Sequence, residues 1–186
     1  MKGGFFVTII VEFIDLNKGE HIIIDIELIY FRRGKMRGLT FEIPNEYAQL
    51  LSDILVGIID PSWYWRVGEG ESYLVKNNTL DSELFPSIDT MDGQSFINKI
   101  TADKYYLISA DLKAFPNQKE VKQVLWYEDF LNSECQFIFL LIDCSYVSIF
   151  AKNLQMIDQF YERAVANGYK NIKFIINEND HTYLTV

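Results

Sequence analysis

The stretch that decides the fold is Phe137-Ile138-Phe139-Leu140-Leu141-Ile142, six apolar residues without a polar break. A continuous apolar run of this length is typical of a central strand that is covered on both faces. A tight turn at Cys144-Ser145 follows, and residues 147–151 form a second apolar segment. The pattern therefore predicts a central strand, a turn and another strand.

Two apolar stripes with helical spacing lie on either side of this core segment. The first comprises Tyr47, Leu50, Leu51, Ile54, Leu55 and Ile58, with Pro44 expected in the first turn and Gly57 and Pro61 marking the end. The second comprises Leu154, Ile157, Phe160, Tyr161, Ala164 and Val165, with Asn153 as the expected cap and Gly168 as the end. Shorter helices are predicted after Asp92 and at residues 127–131.

The remaining apolar segments predict further strands. These segments are residues 39–43, 63–67, 72–76, 105–110, 172–176 and 183–186, with 63–67 and 72–76 expected to form a hairpin across Gly68-Glu69-Gly70-Glu71. No linker interrupts residues 36–186. We therefore expect one α+β domain over 36–186, a mostly antiparallel or mixed sheet with two long helices packed on it.

Residues 1–35 allow two interpretations. The Ile-rich segments 5–15 and 21–31, joined by Asn17-Lys18-Gly19-Glu20, predict a β-hairpin that adds strands to the sheet. Alternatively, Arg32-Arg33-Gly34-Lys35 precedes Met36, and an arginine pair encoded as AGG-AGG would read as a ribosome-binding sequence. Residues 1–35 would then be a translated leader upstream of a true start at Met36.

Charge and composition limit the partners. Hydrophobic residues make up 49% of the chain, which excludes a disordered protein. Twenty-six acidic residues against 17 basic ones give a net charge of −9, which disfavours nucleic acid and anionic membranes and favours a basic protein partner. The apolar N-terminal segment is too short to span a membrane and lacks a signal-peptide cleavage site, so we expect a cytoplasmic protein.

Several strings after Met36 resemble one bacterial family. They are Arg37-Gly38-Leu39-Thr40-Phe41-Glu42-Ile43-Pro44-Asn45-Glu46-Tyr47, Ala110-Asp111-Leu112-Lys113-Ala114-Phe115-Pro116, Ile142-Asp143-Cys144-Ser145-Tyr146-Val147 and Glu178-Asn179-Asp180. On these residues the chain resembles the family catalogued as domain of unknown function 2691, over 36–186. The resemblance implies a small cytoplasmic bacterial protein and supplies no catalytic residues.

Candidate catalytic groups are few and scattered. Cys144 could use His181 as a base, and Asp111, Lys113 and Asp143 stand near predicted strand ends. The simpler interpretation is a packed, reduced cysteine and a surface ion pair between Asp111 and Lys113. The cysteines and histidines lack zinc spacing, so we expect no metal and no cofactor.

Tryptophans are the best candidates for binding, because they bury a large area at small entropic cost. Alternation predicts that Trp63 and Trp65 are core residues, whereas Trp126 is less constrained. We expect a non-catalytic, immunity-like protein that binds a basic partner such as a nuclease toxin through Trp126, Glu128, Asp129 and Glu134. The alternatives are an enzyme that uses a strand-end carboxylate or Cys144, and a structural homodimer.

Overall fold

The computed structural model describes residues 10–15, 20–25, 36–87, 89–176 and 183–186. It divides into two compact units, Met1–Met36 and Arg37–Val186. In the first unit, strands β1 (Ile10–Asp15) and β2 (Glu20–Asp25) pair antiparallel, with Asp15 opposite Glu20. The interpretation of residues 1–35 as a translated leader stays a prediction.

The larger unit is built on one sheet of nine strands among the described residues. The strands are β3 (Met36–Glu42), β4 (Tyr64–Val67), β5 (Glu71–Lys76), β6 (Thr79–Glu83), β7 (Asp89–Asp92), β8 (Tyr105–Phe115), β9 (Phe137–Ile142), β10 (Tyr146–Ala151) and β11 (Lys170–Ile176). The helices are α1 (Leu50–Leu55), α2 (Gly93–Ala102), α3 (Tyr127–Leu131) and α4 (Leu154–Ala166).

The strand order is β11-β3-β10-β9-β8-β4-β7, and β5 pairs with both β8 and β6. Strands β3, β10, β9, β8 and β4 pair antiparallel with their neighbours in this order. Helices α2 and α4 are the two long ones. The predicted α+β domain, with a mostly antiparallel sheet and two long helices, is confirmed, although the second long helix is α2, predicted to be short, and not α1.

The run that starts at Phe137 is the centre of the sheet, and all of its side chains except Ile142 are buried. One face of the sheet packs against helices. The ring centroid of Phe137 lies 5.2 Å from that of Phe160 of α4, and the ring of Trp65 stacks on Phe96 of α2 with 4.0 Å between centroids. This confirms the prediction that Trp65 is a core residue, whereas Trp63 is half-buried. Burial on both faces explains why the sequence here is apolar without alternation.

The opposite face is covered by irregular chain rather than by a long helix. Its buried cluster comprises Phe115, Val124, Tyr127, Phe130, Cys135, Ile138, Leu140, Phe150 and Leu184. The cover therefore comes from α3, from the segments on either side of it and from the C-terminal segment 183–186. This arrangement places α3 and the C-terminal segment next to each other on the surface.

The capped helices follow the sequence, but the first helix is shorter than predicted. Asp92 and Asn153 accept hydrogen bonds from the first turns of α2 and α4, and Gly168 has a positive φ of 69° after α4. Helix α1 begins at Leu50 instead of Pro44, because the N–H and C=O of Ala48 bond to Tyr105 as in a sheet. That pairing is incompatible with a helical turn at the same residue.

The predicted hairpin of residues 63–76 is wrong. Strands β4 and β5 both pair with β8, β4 along Leu112–Phe115 and β5 along Tyr105–Ser109, so they follow one another along the same edge. Residues 68–70 separate β4 from β5 along this edge. A Cβ on Gly68 would lie 2.7 Å from the carboxyl carbon of Asp111. Gly68 therefore makes room for a side chain instead of forming a turn.

Other departures lie at the edges. Strands β6 and β7 lie in the polar, turn-rich region 77–92, where the sequence predicted no strand. Residues 183–186 form one isolated bridge instead of the predicted strand. No helix in the described part of the chain is long and apolar enough to cross a membrane.

Candidate functional site

Trp126 stands where the irregular cover meets the C-terminal segment. Its backbone forms a bridge with Tyr183, and the N–H of Leu184 donates a 2.6 Å hydrogen bond to the carbonyl oxygen of Leu125. The rings of Trp126 and Tyr183 lie 4.8 Å apart between centroids, at an angle of 59°. The two aromatic side chains therefore form one contiguous pair.

The pair is exposed although it lies over a buried cluster. In α3, Tyr127 and Phe130 point into the core, so the helix turns Glu128 and Leu131 outward. Trp126 is 45% exposed, Tyr183 53% and Leu131 49%. Exposed aromatic area of this kind is common where a protein contacts a partner.

Two carboxylates, Glu128 and Asp129, follow Trp126 closely in the chain. Asp129 accepts hydrogen bonds from the N–H groups of Trp126 and Leu125, at 3.0 and 3.2 Å, and so fixes the start of α3. Glu128 is exposed, and no ion pair joins it to a basic side chain in the described part of the chain. We name Trp126, Glu128, Asp129, Leu131 and Tyr183 the Trp126 surface.

The structure brings together three of the four predicted contacts and adds a residue that the sequence did not indicate. Trp126, Glu128 and Asp129 are neighbours at the start of α3, whereas Glu134 is exposed beyond the other end of the helix. Tyr183 was missed because it was expected within a strand. Alternation within that segment places Tyr183 and Leu184 on opposite sides, and in the structure Leu184 is the one that is buried.

The net charge belongs to the larger unit. Residues 1–35 contain five acidic and five basic side chains, so the charge of −9 is carried by residues 36–186. A domain with this excess attracts basic partners over a range of about 10 Å at moderate salt.

Asp111 and Lys113 form an ion pair, but it is buried rather than at the surface as predicted. Both point to the side of β8 that faces the C-terminal segment, and their side chains are almost wholly inaccessible. The hydroxyl of Thr185 donates a 2.9 Å hydrogen bond to Oδ2 of Asp111. The C-terminal segment therefore closes over the pair.

Burial away from water lowers the pKa of the Lys113 ammonium, and the Asp111 carboxylate acts in the opposite direction. A buried charge is tolerated only with a close partner of opposite sign. With Lys113 on one carboxylate oxygen and Thr185 on the other, the pair is sealed against a substrate. This geometry is that of a structural contact.

The two cysteines are free thiols in different surroundings. Cys135 is buried, its Sγ lies 3.4 Å from the carbonyl oxygen of Phe137, and burial raises its pKa to about 12. Cys144 is half-buried in a turn with φ of 62° and accepts a hydrogen bond from the Tyr106 hydroxyl at 3.3 Å. His181, its predicted base, lies outside the described residues.

The remaining catalytic candidates do not converge. Asp143 lines a groove of about 470 Å³ together with Glu42, Tyr146 and Lys170. Asp111 pairs with Leu140, whereas Cys144 bonds to Ile108 three residues away along β8. Within the described ranges, no group of three or more His, Cys, Asp or Glu side chains could hold a metal ion.

Comparisons with known proteins place the chain in a family. The family model described as "Protein of unknown function (DUF2691)" matches residues 36–185. The chain is also 41% identical over 152 residues to "Uncharacterized protein YncE" of Bacillus subtilis strain 168, which covers 81% of this chain and 99% of the relative. No solved structure matches. The chain therefore belongs to the DUF2691 family of proteins of unknown function.

Proposed function

We propose that this chain is a non-catalytic protein-binding domain of the bacterial cytoplasm, immunity-like in character, which holds a basic protein partner on its Trp126 surface. The observation that carries the proposal is the exposed Trp126–Tyr183 pair, with the carboxylates of Glu128 and Asp129 two and three residues after Trp126 in the chain. Tryptophan and tyrosine dominate the binding energy of many protein interfaces.

The surroundings of the reactive side chains support the same proposal. Asp111, Lys113 and Cys135 are buried, and Asp111 and Lys113 are held in contacts that stabilise the interior. By contrast, the Trp126 surface exposes large apolar groups that a monomer gains nothing by exposing. Binding is therefore favoured over catalysis, because these reactive side chains are buried whereas the Trp126 surface is exposed.

Affinity capture with the intact chain tests this function. The bait is the wild-type protein, immobilised and exposed to a lysate of the source bacterium at low and at high salt. Two variant baits accompany it: Trp126→Ala removes the proposed anchor, and Tyr161→Ala removes a ring from another exposed aromatic pair, Tyr161 and Phe174, whose centroids lie 5.1 Å apart.

We expect a protein of high isoelectric point on the wild-type and Tyr161→Ala baits, and its loss from the Trp126→Ala bait and at high salt. The captured protein is then purified and bound again to the wild-type chain. Capture of no protein at low salt, or equal capture by all three baits, would contradict the proposal.

A further inference from the structure

We infer that the Trp126 surface recognises an arginine side chain of its partner, with the guanidinium over the aromatic pair and hydrogen-bonded to Glu128. The inference rests on the proposed function and specifies which group the partner must supply. It is carried by the combination of two exposed rings and a neighbouring carboxylate.

The shape of the site favours a flat cation. The rings of Trp126 and Tyr183 are tilted by 59° to each other, so the pair does not form a single plane. A planar guanidinium can stack on one ring and direct its N–H groups along the edge toward a carboxylate. A lysine ammonium is a strongly hydrated point charge and loses more of its hydration at such a surface.

Glu128 supplies the anionic part of the site. Asp129 already accepts two backbone N–H groups at the start of α3, which leaves less of its capacity for a ligand. Glu128 is exposed one residue earlier and has no ion-pair partner among the basic side chains that the structure describes. Its carboxylate therefore has more capacity than that of Asp129 to accept a partner's N–H groups.

The fold already uses the same chemistry one residue away. The guanidinium carbon of Arg37 lies 4.6 Å from the ring centroid of Tyr127, which follows Trp126 in the chain. That contact lies within the domain, on the buried Tyr127, whereas Trp126 is exposed. An arginine from a partner would repeat on the outside a contact that the domain makes on the inside.

The second exposed aromatic pair provides an internal comparison. Tyr161 of α4 and Phe174 of β11 are stacked and 38% and 39% exposed. Aromatic exposure is therefore similar at the two places, so a substitution of Tyr161 removes exposed aromatic area without touching the Trp126 surface.

Two short peptides of equal length and charge, one with arginines and the other with lysines at the same positions, test the inference. Calorimetric titration of the intact chain should give about fivefold to tenfold tighter binding of the arginine peptide, the size expected of an added cation–π and bidentate contact. Trp126→Leu and Tyr183→Leu should abolish this preference, and Glu128→Gln, which keeps both rings, should reduce it. Tyr161→Leu should retain it.

Equal affinity for the two peptides overturns the arginine inference and leaves binding of a basic partner intact. A preference that survives in Trp126→Leu, or that is undiminished in Glu128→Gln, also overturns it, because the arginine then binds elsewhere. If neither peptide binds the wild-type chain, the inference is wrong, and the capture experiment decides the proposed function separately.

Discussion

Thr185 donates a 2.9 Å hydrogen bond from its hydroxyl to Oδ2 of Asp111, which lies 74 residues earlier in the chain. This bond joins the C-terminal segment to the central part of the sheet. The neighbouring residues complete the attachment, since Leu184 is buried and Tyr183 contacts Trp126. The buried ion pair and the Trp126 surface are therefore connected through three consecutive residues, Tyr183, Leu184 and Thr185.

Removal of the Thr185 hydroxyl should loosen this attachment. Thr185→Val leaves Oδ2 of Asp111 without its hydrogen bond, so we expect the free energy of unfolding to fall by about 1 to 2 kcal/mol in urea titrations. Thr101→Val is the matched control, because the Thr101 hydroxyl is exposed and bonds within its own helix. Equal losses for the two variants would show that the Thr185 bond contributes nothing specific.

The buried ion pair should depend on both partners. Lys113→Met leaves Asp111 as an uncompensated buried charge, and we expect a loss of about 3 to 5 kcal/mol in the free energy of unfolding. Replacing both, as Lys113→Met with Asp111→Leu, should recover much of this loss because no charge is then buried. A double variant as unstable as the single one would argue against the pair as the source of the effect.

Gly68 should not tolerate a side chain. In Gly68→Ala the new Cβ would lie 2.7 Å from the carboxyl carbon of Asp111, a position held by Lys113 and Thr185. We expect a loss of about 1 to 3 kcal/mol from the required displacement, measured by thermal or urea unfolding. Glu69→Ala, at the exposed next residue, is the control and should change stability little.

Stability should decline in alkali partly through Cys135. Burial raises the pKa of this thiol from 9.0 to about 12, so the folded state retains a proton that the unfolded chain loses above about pH 9. The contribution of this thiol to the free energy of unfolding is complete below about pH 9 and is lost as the pH rises toward 12. Burial also raises the pKa of Tyr105 and Tyr169, which act in the same direction.

A comparison of the wild type with Cys135→Ala isolates the effect of this thiol on the pH dependence of stability. Between about pH 9 and pH 11 the free energy of unfolding of the wild type should fall more steeply than that of the variant, by up to about 1.4 kcal/mol per pH unit. Parallel curves would show that Cys135 titrates normally.

In a thiol-reagent assay of the folded wild type, Cys144 should react and Cys135 should react only after unfolding.

The sequence predicted those parts of the fold whose signals are local. The apolar run from Phe137 specifies a strand by itself, and Asn153 and Gly168 mark the limits of α4 through hydrogen bonds and backbone angles of adjacent residues. Capping chemistry does not depend on distant chain. The same reason explains why the cap at Asp92 was found.

The parts that could not be predicted depend on distant pairing. The sequence pattern of residues 63–76, two apolar segments separated by glycines, is the same whether the two strands pair with each other or both pair with β8. Strand β8 has 11 residues and pairs with both. Alternation places Asp111 and Lys113 on one side of β8, but the chain that buries this side, α3 with its flanking segments and Thr185 with its neighbours, comes from later in the sequence. Tyr183 was missed for the same reason.

The Trp126→Ala variant, measured for both stability and binding, tests the central claim most directly. If Trp126 serves a partner, the free energy of unfolding should change by no more than about 1 kcal/mol, while the affinity for the captured basic protein falls at least about tenfold. A loss of several kcal/mol in stability with unchanged affinity would contradict the account and would make Trp126 a structural residue.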